Sequence, residues 1–192
     1  MKKEIADIFK VPVASIHLDL KNKKELEYRI FEMKSSKGRF RSNLSGYQTN
    51  DIKDEPVFQP LLDIIEKVGK EFAKELGITD NLKIDNYWVN INKFKDAHSL
   101  HNHPGCVLSG VFYVKVPEKA GPIAFAHPAS SVIPLYFNKH IKHFTAYNSS
   151  FWKIDPRDNQ LLMFPSWLEH SVEPNMNPIE ERITIAFNLT SK

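Results

Sequence analysis

Three of the chain's eight histidines lie in one short segment, 98-HSLHNHPGC-106. In an extended segment, side chains two residues apart point to the same side, so His101 and His103 are able to converge on one point. Imidazole is the commonest protein ligand for transition metals. Because two ligands make a weak site, a third is needed, and His170 is the best candidate since it follows a strand-like run. The sequence therefore predicts a metal site formed by His101, His103 and His170.

Other interpretations of these residues stay open. A single H-x-H pair in a loop is often two solvent-exposed histidines, and His98 is predicted to be such an exposed residue outside the site. Asp96 offers an alternative carboxylate ligand from the preceding loop. The remaining histidines have no partner pattern and are predicted to be structural: His17, His127, His140 and His143.

An arginine opens a later apolar segment, 182-RITIAFNL-189, twelve residues after His170. An arginine in a buried strand is costly unless it pairs with an anion. Its forked guanidinium suits a carboxylate, so Arg182 is a candidate binding residue for an acidic ligand. The alternative is an ion pair with a nearby glutamate of this chain: Glu169, Glu173, Glu180 or Glu181.

The elements that must position these residues change in character along the chain. We predict one domain, in which residues 1–80 form a helical and strand support and residues 81–192 form a β-rich core. The support contains a strand at 13–20, a helix opened by a capping box at Asn22, and a loop at 35–50. A second helix carries an apolar stripe from Leu61 to Leu76 and ends at Gly77.

Seven strand-like segments follow the support, and they favour a β-sandwich or jelly roll. In 87-YWVNIN-92, Asn90 and Asn92 lie on the side opposite the apolar residues, where they either line a pocket or face water. The absence of a strand–helix–strand rhythm argues against a Rossmann-like sheet. The predicted strands are 84–94, 107–116, 122–127, 132–137, 143–154, 160–165 and 182–189.

Composition excludes several classes of protein. The net charge of +3 is small and the basic residues are scattered, which argues against nucleic-acid binding. The single cysteine, Cys106, allows no intramolecular disulfide and fits a reducing compartment. No apolar run is long enough for a transmembrane helix or a signal peptide, so we predict a cytoplasmic protein without membrane contacts.

These motifs resemble the iron(II)- and 2-oxoglutarate-dependent dioxygenases. Their signature is H-x-(D/E), a distal histidine and an arginine about ten residues later, and the likeness covers residues 84–190. The chain bears a closer resemblance to the 2-oxoglutarate–iron oxygenases of phages and marine bacteria. Three segments carry that closer likeness: 41-RSNLSGYQT-49, 101-HNHPGCVLSGVFYV-114 and 164-FPSWLEHSVEPN-175.

The resemblance implies a mainly β fold, a double-stranded β-helix (jelly roll) supported by the N-terminal α-helices. It implies that Fe(II) binds the three histidines and that Arg182 binds the distal carboxylate of 2-oxoglutarate. Thr184 matches the residue that assists such an arginine. Tyr113 matches a tyrosine that contacts the same carboxylate, or is a plain core aromatic. Asn90 is predicted to line this co-substrate pocket.

One departure from the family pattern concerns His103, which stands where the family usually has a carboxylate. An all-histidine set gives the metal site one more unit of positive charge. This departure leaves open whether His103 binds the metal and whether a metal other than iron binds.

The implied reaction is the hydroxylation of a substrate C–H bond by O₂, with conversion of 2-oxoglutarate to succinate and CO₂. The substrate is a metabolite or a protein side chain, and loops 35–55 and 128–150 are candidate lids over it. If the chain is phage-encoded, it acts in the host cytoplasm. Two alternatives remain: a cupin-like three-histidine metalloenzyme that does not use 2-oxoglutarate, and a non-catalytic β-sandwich binding module.

Overall fold

The computed structural model describes residues 3–34, 38–78, 81–137 and 139–191. In these ranges it has ten strands and three α-helices. The helices are α1 (Lys23–Met33), α2 (Gln59–Glu75) and α3 (Ile133–Phe137), and a 3-10 turn spans Pro56–Phe58. The strands are β1 (Ala14–His17), β2 (Tyr47–Gln48), β3 (Leu82–Asn92), β4 (His98–His101), β5 (Leu108–Lys115), β6 (Ile123–Ala126), β7 (Phe151–Ile154), β8 (Gln160–Pro165), β9 (His170–Val172) and β10 (Arg182–Ser191).

The strands form two antiparallel sheets, as the jelly-roll prediction requires. The major sheet has the order β1-β8-β5-β10-β3-β2, and the minor sheet has the order β4-β9-β6-β7. An apolar cluster with Tyr113 and Phe164 from the major sheet and Phe125 from the minor sheet joins the two. The space between the sheets therefore lies inside the molecule and is bounded by side chains from both.

The two longer helices cover the other face of the major sheet. Leu26 of α1 and Ile65 of α2 belong to one buried cluster with Val89 of β3 and Phe187 of β10. Along β10 the odd-numbered residues from Ile183 to Leu189 enter this helix-side core. Because strand side chains alternate, the even-numbered residues project to the opposite face, toward the minor sheet. Helical support thus fixes which side chains reach the interior between the sheets.

A crossing segment, residues 38–51, ties the sheets together at one end. The backbone N–H of Ser99 donates to Ser42 O (2.8 Å) and that of Leu44 donates to Ala97 O (2.9 Å), which covers the edge of β4. A few residues later β2 pairs with β3 in the major sheet. The segment therefore bridges the mouth of the space between the sheets.

Several predicted elements need correction. The strand predicted at 132–137 is helix α3, where Pro134 suits an early helical position and Leu135 and Tyr136 stay exposed without a strand partner. The strand predicted at 143–154 is strand only over Phe151–Ile154. The capping box at Asn22 is wrong, because its side-chain Nδ2 donates to Val57 O (2.8 Å) instead of capping α1.

Other elements follow the sequence pattern closely. Gly77 ends α2 with φ +68°, the left-handed conformation expected one residue past a helix. Strands β2, β4 and β9 were not predicted, because each has four residues or fewer and carries polar side chains. Residues 35–37 of the predicted loop lie outside the described residues. Within the described ranges, the helices lack the length and apolar character that a membrane span requires.

Candidate metal centre and adjoining cavity

The three predicted ligand residues meet on the minor sheet. His101 ends β4 and is the register partner of His170, the first residue of β9. His103 lies two residues past β4, where its backbone N–H donates to Ser166 O (3.0 Å). One potential ligand atom from each of the three histidines lies within 4.8 Å of the others. Two nitrogens bound to one cation at about 2.1 Å lie at most about 4.2 Å apart, so a small closure of the rings completes a metal site.

Backbone carbonyls fix which nitrogen of two of the rings faces the centre. Nδ1 of His101 donates to Ser99 O (2.7 Å), and Nδ1 of His170 donates to Leu168 O (2.9 Å). Each hydrogen bond leaves Nε2 without a proton and free to bind a metal. His103 is oriented by packing instead, with its ring centre 5.2 Å from that of His170 and 5.9 Å from that of Trp88.

The burial of the cluster keeps the imidazoles neutral. Desolvation lowers the pKa of His170 to about 3 and that of His103 to about 4. Burial lowers the pKa of His101 as well. A neutral imidazole is the form that binds a transition metal. Three neutral nitrogen donors on a partly open face therefore fit a divalent metal such as Fe(II).

A cavity of about 50 Å³ extends from the histidines into the space between the sheets. Arg182, Thr184, Tyr113 and Asn90 all line it, so the structure brings every predicted co-substrate residue to the predicted metal site. The register explains this convergence, since Thr184 of β10 lies opposite both Tyr113 of β5 and Asn90 of β3. Asn92, opposite Arg182, also lines the cavity, so the two asparagines face a pocket and not bulk water.

Arg182 is buried, at 1 % exposure, and is held by neutral groups. Its Nη1 donates to the carbonyls of Ala120, Gly121 and Glu173, and its Nη2 donates to Asn92 Oδ1 (3.3 Å). No carboxylate among the described residues forms a salt bridge with Arg182. The alternative prediction, an ion pair between Arg182 and a nearby glutamate, is therefore wrong. Burial lowers its pKa to about 10, which leaves the guanidinium charged near neutral pH.

The guanidinium keeps donors for a ligand. Arginine has five N–H groups, and those on Nη1 are engaged by backbone carbonyls. Nε and one hydrogen of Nη2 form no hydrogen bond within the described residues. A carboxylate accepts from that side of the fork in a bidentate fashion. A buried cation with free donors and no salt-bridge partner among the described residues therefore suits an acidic ligand.

Tyr113 and Asn90 also carry unpartnered polar groups into the cavity. The Tyr113 side chain is buried, and its hydroxyl forms no hydrogen bond with the described residues; burial raises its pKa, so the hydroxyl is a neutral donor. Asn90 Oδ1 is buried without a partner, while Nδ2 donates to Thr184 Oγ1 (3.4 Å). Buried polar groups are rarely left unpaired, so these groups indicate a polar ligand.

The structure shows that the prediction of an exposed His98 is wrong. The residue is buried, at 8 % exposure, and is not a solvent-exposed side chain. Its Nε2 contacts the Asn92 amide (3.3 Å) and its Nδ1 contacts Ser42 Oγ (3.4 Å), so it supports the asparagine that binds Arg182. Burial lowers its pKa to about 3. The spacing of the histidines did not reveal this role, because Asn92 and Ser42, which contact His98, belong to other elements of the fold.

Asp96 does not join the histidine cluster. Its Oδ2 accepts from the backbone N–H of Lys93 (2.7 Å) and so closes the turn after β3. Among the described residues, the metal-ligating group consists of the three histidines alone. Cys106 lies beside the centre with a pKa raised by burial, which favours the unreactive thiol.

The two candidate lids differ in their relation to the centre. Ser42 of the crossing segment lines the cavity, so the described part of loop 35–55 borders the site. The described residues of loop 128–150 line neither the cavity nor the groove outside it, which is bordered by Trp88, His103 and the crossing segment. Residue 138 lies outside the described residues. Tyr47 packs against the helix-side core and is not a lid residue.

A comparison with protein families decides what kind of protein this is. A family model described as "Putative 2OG-Fe(II) oxygenase" matches residues 86–188, more than half of the chain. The chain belongs to this family. The match runs from β3 to β10 and includes the histidine cluster and Arg182. It confirms the predicted class, an oxygenase that uses Fe(II) and 2-oxoglutarate. A search of curated proteins finds no match to the chain.

Several solved structures share the fold. A prolyl-4-hydroxylase from Pseudomonas putida is 12 % identical, with a TM-score of 0.65 over 95 % of this chain and 94 % of that chain. HygX from Streptomyces hygroscopicus, solved with nickel and 2-oxoglutarate, is 10 % identical, with a TM-score of 0.65 over 95 % and 84 %. The epimerase SnoN of nogalamycin biosynthesis is 13 % identical, with a TM-score of 0.70 over 94 % and 77 %. These likenesses confirm the double-stranded β-helix.

Proposed function

We propose that this 2OG-Fe(II) oxygenase hydroxylates a C–H bond of its substrate, with His101, His103 and His170 as the metal ligands. The observation that carries the proposal is the placement of Arg182, a buried cation without a protein anion, in the same cavity as the three neutral imidazoles. When bound, Fe(II) and 2-oxoglutarate supply the oxidation: O₂ and 2-oxoglutarate give succinate, CO₂ and the hydroxylated substrate. A cupin-like metalloenzyme has no need of this arginine.

In this proposal the chain's own residues bind and orient the co-substrate. Arg182 donates from Nε and Nη2 to the distal carboxylate, and the Tyr113 hydroxyl donates to the same group. Thr184 and the Asn90 amide supply further polar contacts along the cavity floor. Asn92 fixes the guanidinium through its Oδ1. The aromatic rings of Phe125 and Phe164 pack around His170 and keep bulk water from the inner side of the metal centre.

The finer parts of the proposal concern the substrate and location. The two candidate substrate classes of this site are a metabolite and a protein side chain. A cytoplasmic location is supported by the single cysteine, since such a chain needs no oxidising compartment. A closer likeness to the oxygenases of phages and marine bacteria is supported by the three sequence segments 41–49, 101–114 and 164–175.

The test is a titration of the Fe(II)-loaded protein with 2-oxoglutarate in the absence of air. We expect a visible charge-transfer band with saturable intensity. Arg182→Lys should weaken 2-oxoglutarate binding at least about tenfold, because a lysine does not reproduce the two-pronged contact. Arg157→Lys, at an exposed site, is the matched control. A protein that binds iron but shows neither a band nor affinity for 2-oxoglutarate would contradict the proposal and favour the cupin-like alternative.

A further inference from the structure

A groove of about 430 Å³ adjoins the metal centre on its outer side. Trp88, His101 and His103 line both this groove and the metal cavity, so the groove opens onto the centre. Its other wall is the crossing segment, which contributes Arg39 and Gln48. A substrate approaching the metal from outside therefore passes these two side chains.

Arg39 and Gln48 are held side by side. The backbone N–H of Arg39 donates to Gln48 O (2.8 Å), which places the two residues across from each other. The Arg39 guanidinium lies 5.7 Å from the centre of the Trp88 ring, and its Nη2 donates to Asp51 Oδ1 (2.8 Å). The Trp88 ring also lies 5.9 Å from the ring centre of His103, so one tryptophan neighbours both the guanidinium and a proposed metal ligand.

Each of the two residues carries a buried polar atom without a hydrogen bond. The atoms are Nε of Arg39, a donor, and Oε1 of Gln48, an acceptor. Gln48 is only 2 % exposed, so water does not readily compensate its oxygen. Nearly all buried polar groups in proteins are paired, and an exception at the wall of a groove indicates a missing ligand. Such a ligand offers an acceptor to Arg39 Nε and a donor to Gln48 Oε1.

The charges around the groove argue against a strongly ionic ligand. Arg39 and Arg41 are matched by Asp51 and Asp85, all of which line it. A groove with two charges of each sign has no net field that would select a phosphate or a polycation. A neutral group with both a donor and an acceptor fits this surface better.

We propose that this groove recognises the substrate through a secondary amide. Arg39 Nε–H donates to the amide oxygen, and Gln48 Oε1 accepts from the amide N–H. Trp88 forms the surface between this amide and the metal centre. The inference rests on the proposed function, because it assigns the groove to the substrate of the same oxygenase. Polypeptides and N-acylated metabolites both carry the required group.

The first test isolates the amide. The protein is loaded with zinc, as a diamagnetic substitute, and with 2-oxoglutarate, and is titrated with N-methylacetamide and with methyl acetate, which lacks the N–H. We expect saturable NMR shifts of the Arg39 Nε–H and Gln48 side-chain amide signals with the amide. The ester should bind at least about fivefold more weakly, as the loss of one hydrogen bond implies. Equal binding of the two probes, or no saturable shift, overturns the proposal.

Two variants link the effect to the groove. Gln48→Met removes the acceptor at similar volume, and Arg39→Lys removes the Nε donor. Each should weaken N-methylacetamide binding at least about fivefold. Asn50→Ala, at an exposed position outside the groove, is the control and should bind like the unmodified protein. Unchanged binding in both variants overturns the proposal. If Gln48→Met does not fold, the Arg39→Lys variant and the comparison of amide with ester still test it.

A second experiment separates the sources of the amide. Pools of N-acetylated, C-amidated tripeptides are compared with N-acetylated amino acids and N-acetylhexosamines for binding by NMR and for succinate release. Binding by either class supports amide recognition and names its source; binding by neither, in a protein that forms the 2-oxoglutarate charge-transfer band, overturns this inference alone. Amide binding in a protein without that band overturns the proposed function alone.

Discussion

At the scale of single residues, partners decide the role of each polar side chain. His98 and His101 both belong to β4. Both ring nitrogens of His98 contact Asn92 and Ser42, whereas only Nδ1 of His101 is hydrogen-bonded and its Nε2 is free at the histidine cluster. Arg182 has only neutral partners, so its charge needs a ligand. The number of donors and acceptors left over is what marks this cavity as a binding site.

The replacement of the usual carboxylate by His103 gives a direct prediction. His103→Asp should still bind one divalent metal, and more tightly, because a carboxylate neutralises one unit of the cation's charge. His103→Ala should weaken metal binding at least about tenfold, as a two-ligand site does. Competition with a chelator measures both affinities, and His17→Asp at an exposed site is the control. Equal metal affinity in His103→Ala and the unmodified protein would show that His103 is not a ligand.

A substitution of Tyr113 tests whether this residue binds the co-substrate or is only a core aromatic. Its hydroxyl has no hydrogen bond with the described residues, so Tyr113→Phe should leave the free energy of unfolding unchanged within about 0.5 kcal/mol. The same substitution should weaken 2-oxoglutarate binding about three- to tenfold, because one hydrogen bond to the carboxylate is lost. Denaturant unfolding and the charge-transfer titration measure the two effects. An unchanged 2-oxoglutarate affinity would assign Tyr113 to the core.

At the scale of elements, the major sheet sorts its side chains to two faces. In β10, Ile183 and Ile185 pack against the helices. The alternate residues, Arg182 and Thr184, face the cavity. The neighbours β3 and β5 show the same alternation in register with β10. A slip of one residue would exchange the core and the site, so the apolar face also fixes the position of the binding residues.

Gly110 of β5 tests how closely these strands pack against their neighbours. A Cβ at this position would overlap the Phe187 ring and the backbone oxygen of Leu162. Gly110→Ala should therefore destabilise the fold by about 1 to 3 kcal/mol, as overpacking of a core does. Gly77→Ala is the comparison: a Cβ there meets no atom within 4 Å, and only the positive φ costs, about 1 kcal/mol. Denaturant unfolding of both variants measures the difference, and an equal loss would contradict the packing argument.

At the scale of the whole molecule, the interior between the sheets is polar and positively charged at one end. Four histidines and Arg182 line one cavity, and desolvation is the largest cause of the lowered pKa of each. The crossing segment and the minor sheet enclose these groups. The fold thus keeps the four histidines in their neutral form and leaves Arg182 as the permanent charge among the residues that line the cavity.

The stability of the metal-free protein should depend on pH through His98. Its pKa is about 3 in the folded chain and near 6.5 in the unfolded chain, so the unfolded state binds more protons between these values. This contribution to the free energy of unfolding is complete above about pH 6.5 and is lost as the pH falls toward 3, by up to about 1.4 kcal/mol per pH unit. Denaturant unfolding between pH 7.5 and 5 should show a shallower slope for His98→Gln than for the unmodified protein. His140→Gln, an exposed control, should keep the original slope.

Local patterns in the sequence were enough for much of the fold and for the outline of the site. The apolar stripe and Gly77 gave α2, and the long alternating runs gave β3, β5 and β10. Short polar strands such as β4 and β9 were not predicted, because pairing partners far along the chain stabilise them. The aromatic run at 132–137 was misassigned, since six apolar residues suit a strand or a helix equally. The proposed division at residue 80 stays a prediction.

The sequence by itself determined the residue types, the spacing of His101 and His103, and the family to which the chain belongs. Only the tertiary structure decided that His170 lies opposite His101, that Arg182 lacks an anionic partner, and that His98 is buried. The physical reason is that spacing along a strand fixes which side a residue faces, whereas burial and hydrogen-bond partners come from strands that pair across the sheets. The unpaired atoms of Arg39 and Gln48 belong to this second class.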